Sequence, residues 1–136
     1  MHAFVVIAAL LFVVGCPAAS GNDDGDSAVG DPSLTLTAPA DGDIVCGTPL
    51  QIRTTVENFT LTNEAGDATS ENIGHVHAYL NGQEVAQSDQ TAIDVNDVAD
   101  QEYQLTVDLA RLDHTALDPY VGTTIYVTVD HTICLE

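Results

Sequence analysis

The chain has 136 residues, enough for one domain, and a formal net charge of −19 in which Arg53 and Arg111 are the only strong bases. A surface this acidic repels phosphates and anionic lipid headgroups, which excludes nucleic acid and an electrostatically held bilayer as partners. The acidic side chains are dispersed rather than blocked, which fits a soluble monomer or an adaptation to high salt better than a divalent-cation cluster.

Ala3 to Val14 is an uncharged run of Ala, Phe, Val, Ile and Leu. It falls short of the roughly 20 apolar residues a spanning helix needs and matches the h-region of a secretory signal. The run ends Leu11-Phe12-Val13-Val14-Gly15-Cys16, and small and branched residues closing on Gly-Cys resemble the lipobox of bacterial lipoproteins. Met1-His2 departs from that pattern by lacking a basic n-region. The resemblance implies a signal peptide over residues 1–15 and a mature chain that starts at a lipidated Cys16. It also implies a place in the bacterial cell envelope, held to the membrane through that lipid and facing the periplasm or the exterior. An ordinary cleaved signal with an incidental cysteine is the alternative. With Cys16 taken by lipid, Cys46 and Cys134 remain as a disulfide pair in an oxidising compartment, two free buried thiols being the other option.

Residues 16–32 read as a flexible acidic linker of Ala, Ser, Gly, Asn and Asp with little to bury. Such a tether holds a domain roughly 20–25 Å from its anchor. Asn22-Asp23-Asp24-Gly25-Asp26 lacks the Gly and Glu placement of an EF-hand and reads as solvated linker.

Residues 33–136 switch to alternation with no helical period. Leu34 and Leu36 alternate with polar neighbours before a turn at Pro39-Ala40-Asp41-Gly42. Leu50, Ile52, Thr54 and Val56 alternate next, then Val76, Ala78 and Leu80. Asn81-Gly82 follows, a strong hairpin signal because both central positions require positive φ, and Gln83 to Gln87 forms the return strand. Weaker alternation covers Thr91 to Val95, clear alternation covers Tyr103, Leu105, Val107 and Leu109, and Thr123 to Thr132 closes the chain. Seven short strands, A, B, C, C′, E, F and G in chain order, predict an all-β, seven-stranded antiparallel β-sandwich. The strand order, the Asn81-Gly82 hairpin and Tyr103 two residues before inward Leu105 resemble immunoglobulin-like and fibronectin-type domains. The antibody-type Cys pair across the sheets and the core Trp are missing. The topology puts Cys46 and Cys134 at one end of the sandwich.

His75-Val76-His77 is the constellation with the most chemical promise. Residues i and i+2 of a strand share a face, so both imidazoles project together. Val76, Ala78 and Leu80 take the core, which leaves His75, His77 and Tyr79 on the outer face. His114 in the F–G loop falls at the same end and supplies a third imidazole for copper or zinc. Asp113 and Asp118 in that loop, and Glu64, Asp67 and Glu71 in the B–C loop, are nearby carboxylates. His131 is expected at the opposite end, and surface His and Tyr pairs also occur as plain cross-strand partners.

No nucleophile elbow, phosphate loop, His-Glu-x-x-His helix or Cys-x-x-Cys pair is present, so catalysis is not expected. The leading expectation is a lipid-anchored Ig-like module without catalytic activity or cofactor, a monomer that serves a structural role or binds a protein or glycan. The alternative is a periplasmic or surface copper- or zinc-binding protein that uses His75, His77 and His114.

Overall fold

A computed structural model describes residues 30–135. The signal peptide, Cys16 and nearly all of the linker expected from the sequence lie outside the described residues. Nine strands and a closing 3-10 turn make up the fold: β1 (Ser33–Ala38), β2 (Ile44–Val45), β3 (Leu50–Glu57), β4 (Thr60–Leu61), β5 (Ile73–Leu80), β6 (Gln83–Ser88), β7 (Ala92–Val95), β8 (Gln101–Arg111), β9 (Gly122–Val129) and the turn His131–Leu135. One sheet has the order β1-β3-β7; the other has the order β2-β9-β8-β5-β4, with β6 also paired to β5. The seven strands expected from alternation are β1, β3, β5, β6, β7, β8 and β9. Strands A, B and E form one sheet and C, C′, F and G the other, an Ig-like arrangement.

Two corrections apply to the seven-stranded antiparallel expectation. The strands β2 and β4 were not anticipated, and both pair in parallel, β2 with β9 and β4 with β5, so the larger sheet is mixed. Each is two residues long, too short for alternation to register. After the Pro39–Gly42 turn the chain crosses to the second sheet, and β2 is held there by Thr128 N–H donating to the Asp43 carbonyl and Asp130 N–H donating to the Val45 carbonyl. The last strand also stops earlier than Thr132. Asp130 accepts bonds from the backbone N–H and hydroxyl of Thr132, which turns the chain into the 3-10 segment.

The core is the meeting of the two inner faces. Leu50 and Ile52 from β3 and Ile93 and Val95 from β7 pack against Val76, Ala78 and Leu80 from β5, Leu105, Val107 and Leu109 from β8, and Val127 and Val129 from β9. Tyr103 is buried in the same cluster, paired in register with Val127. A buried Leu or Val stabilises by roughly 1.5–3 kcal/mol relative to exposure, so period-2 alternation is what chooses the fold. The hairpin between β5 and β6 forms at Asn81 and Gly82, with φ of 51° and 80°, as the type I′ turn requires.

The sandwich has two dissimilar ends. Cys46 follows β2 and Cys134 lies in the closing turn, and a disulfide joins them with 5.1 Å between the Cα atoms. At the other end lie the β3–β5 connection, the start of β5 and the β8–β9 loop.

Candidate metal centre

Strand β5 places His75 and His77 on the face opposite Val76, Ala78 and Leu80, as the alternation requires. The expectation that this outer face is a surface is corrected: His75 is 3 % exposed and His77 1 %. The chain around β4 and the β8–β9 loop fold over them. Thr62 N–H donates to the Gly74 carbonyl and Thr60 N–H to the Asn72 carbonyl, which lays the β4 segment along the start of β5. On its other side Gly74 allows the close pairing of β5 with β8, since a side chain there would collide with the Ala110 carbonyl.

His114 comes from a tight turn after β8. Its φ of 66° is left-handed, a conformation that costs a non-glycine residue on the order of 1 kcal/mol and that His adopts more readily than most. The turn is held by His114 N–H donating to the Arg111 carbonyl and Arg111 N–H donating to the Thr115 carbonyl, both at 2.9 Å. The Arg111 guanidinium donates to the Thr115 hydroxyl and the Ala116 carbonyl, and it pairs with Glu71 across the gap between the two loops. A cation thus locks together the two segments that cover the histidines.

The three imidazoles converge. His114 Nδ1 lies 3.3 Å from His75 Nε2 and 3.5 Å from His77 Nε2. One nitrogen from each ring lies within 4.8 Å of the others. A triangle with such edges has a point no more than about 2.4 Å from all three corners, so shifts of a few tenths of an ångström reach metal–nitrogen bonds of about 2.0–2.1 Å.

The second nitrogen of each buried ring decides what the converging atoms are. His75 Nδ1 stands 3.3 Å from the Thr62 carbonyl, which only accepts, so it carries the proton. His77 Nδ1 stands 2.9 Å from the Tyr79 hydroxyl, which can donate or accept, and 3.4 Å from Glu84 Oε2, whose negative charge favours a proton on that nitrogen. Both Nε2 atoms therefore present lone pairs toward His114 Nδ1. A neutral His114 has at most one proton at that nitrogen and cannot serve both. A single cation among the three satisfies them all. An outward Nδ1–H bonded to a carbonyl or carboxylate is also the usual support of a metal-ligating histidine. Burial lowers the His77 pKa below its ordinary value, the Glu84 charge opposes that, and His75 and His114 add to it, so the ring stays neutral and available as a ligand.

The expected carboxylates do not join the cluster among the described residues. Asp67 and Asp113 accept bonds from Thr69 and Thr115 in their own turns, which lower both carboxyl pKa values. Glu71 is engaged by Arg111 and accepts a long bond from Asp118 N–H. Glu64 lines an open cleft of about 620 Å³ together with Asn63, Gln87, Leu112, His75 and His114. His131 sits apart, beside Asp100 at the disulfide end.

Sequence reasoning missed Glu84, Gln87 and Asp108. A two-residue turn at Asn81-Gly82 pairs Tyr79 with Glu84, and a bulge between Ala78 and Tyr79 then pairs His77 with Gln87. The turn was the available signal for Glu84. Asp108 lies opposite His77 on β8 and is 8 % exposed. Burial raises its pKa to about 6, a Tyr120 hydrogen bond works the other way, and the Glu84 charge raises it further.

Comparison with known proteins adds a faint likeness. No protein-family model and no curated protein matches the chain. Fibronectin(III)-like modules of CbhA from Clostridium thermocellum are similar at 15% identity and a TM-score of 0.47, over 72% of this chain and 96% of theirs. An engineered protein is similar at 17% identity and a TM-score of 0.45, over 73% of this chain and 20% of its own. Likenesses of this size carry no statement about ligand or activity, and the sheet topology stands on its own.

Proposed function

We propose that this Ig-like sandwich binds one transition-metal ion, copper or zinc, through His75, His77 and His114, and that Cys16 tethers it by lipid outside the cytoplasm. The observation that carries the metal reading is the convergence of three imidazole nitrogens, two of them buried and turned inward by acceptors behind them. A plain pair of histidines on one strand face needs no third ring brought in on a left-handed turn. An imidazole donor set suits copper and zinc and disfavours calcium or magnesium, which take oxygen.

The test is metal content and titration of the purified protein. One copper or zinc ion per chain is expected, with affinity lowered at least 100-fold in His77→Ala. A wild-type protein that holds neither ion and gains none on titration ends the proposal.

The tether is supported by the Val14-Gly15-Cys16 ending. Gly30, Asp31 and Pro32 lie beside Glu71, Asn72 and Asp118, at the histidine end. A lipid on Cys16 would hold that end toward the membrane. Cys16→Ser is expected to release the protein from membranes and abolish acyl labelling while metal binding persists. Tight attachment of the unacylated variant would contradict it.

A further inference from the structure

We infer that the ion held by His75, His77 and His114 keeps one coordination position for a small exchangeable donor, water or a small anion, that enters from the cleft beside His75 and His114. The inference rests on the three-histidine reading and adds to it what the ion does with the rest of its coordination shell.

The protein supplies three donors. Among the described residues the convergent group is His75, His77 and His114 and nothing else. Copper(II) and zinc(II) take four ligands or more, and a structural zinc site obtains all four from protein. Three protein nitrogens leave the fourth to something that diffuses in. Access is open on the side of His114. His77 is sealed at 1 % exposure and His75 at 3 %, whereas His114 is exposed and forms a wall of the cleft with His75. The cleft volume of about 620 Å³ admits a small ligand without loop movement.

The chemistry of the walls fits the same occupant. Three neutral imidazoles leave a divalent ion its full charge of +2, which favours an anionic fourth ligand. Asn63 and Gln87 bring amide groups that donate hydrogen bonds to such a ligand. Glu64 is the one carboxylate on these walls. It would fill the position itself only if its loop closed onto the ion, so it defines the competing arrangement.

The experiment uses the full chain loaded with copper(II), with sodium azide as the probe. Copper and zinc content after incubation with each ion is measured first. Azide is then titrated while the visible charge-transfer absorption and the electron paramagnetic resonance spectrum are followed, with protein-bound copper checked again at the end. The expected result is a saturable change at one azide per copper, with copper retained, in wild type and Glu64→Gln alike. Bound copper whose spectra ignore azide in both proteins overturns the inference and leaves the three-histidine reading standing. A response in Glu64→Gln alone makes Glu64 the fourth ligand and also overturns it. Copper stripped from the protein by azide has the same consequence. Failure to bind copper or zinc at the first step removes the three-histidine reading itself, so the two failures are distinguishable.

Discussion

The two ends of the sandwich are closed by opposite means. At one end a covalent bond between Cys46 and Cys134 fastens the closing turn to the segment that follows β2. Val98 and Val129 are buried beside it, and Gly47 packs against both residues. At the other end polar groups are buried instead: His75, His77 and Asp108, under loops joined by the Arg111–Glu71 ion pair. Burying a polar group costs free energy unless its partners are complete, and here they are not, since Asp108 Oδ1 has no hydrogen-bond partner among the described residues and two imidazole nitrogens face a third ring. The contrast teaches that one end adds to stability on its own and the other buries polar groups whose partners are incomplete.

The largest expected effect comes from breaking the covalent end. The bridge spans 88 residues, and in the chain-entropy model a loop of that length stabilises by about 4–5 kcal/mol. Cys46→Ala combined with Cys134→Ala is expected to lose about that much in denaturant unfolding. Copper or zinc affinity is expected to stay within about threefold in the folded variant, because distant sites without shared partners act independently. A variant that loses metal affinity in parallel with stability would show that the two ends are coupled and that the contrast is wrong.

How far the sequence reaches also differs between the ends. The strand pattern was readable because the core positions on the strands, from Leu50 through Val129, repay a period of two with burial, and Asn81-Gly82 admits essentially one turn. The pairing of Cys46 with Cys134 came from setting Cys16 aside for lipid, and up-and-down strands then put both cysteines at one end. The meeting of His75, His77 and His114 was legible too, from an i, i+2 spacing plus a loop at the same end. What alternation cannot carry is the fate of the outer face. It assigns His75 and His77 to the side away from the core but contains nothing about a loop lying on that side. The covering depends on β4, held by backbone bonds to the start of β5, and on an ion pair between Arg111 and Glu71, forty residues apart. The expected carboxylate ligands failed for a related reason: Asp67 and Asp113 sit two residues before a threonine, and local turns claimed them. Asp108 carried no signal at all, because its burial depends on the register between β5 and β8.

Asp108 gives the smaller and opposite test. Its folded-state pKa of about 6 lies above the ordinary 3.8, chiefly from burial. Between those values the folded protein holds a proton that the unfolded chain has released, so this group's contribution falls as pH rises from about 4 to about 6. Above that range the folded state bears the whole cost of a buried carboxylate. Asp108→Asn keeps the shape and a carbonyl acceptor for Tyr120 but removes the charge. The variant is therefore expected to be more stable than wild type at pH 7, by on the order of 2 kcal/mol, with the difference fading toward pH 4. Urea unfolding of both proteins at several pH values checks this, and the subtraction cancels the general relief of acidic repulsion that both experience on acidification. A variant less stable than wild type at pH 7 would mean that the carboxylate has a stabilising partner. The histidine end would then be as self-sufficient as the disulfide end.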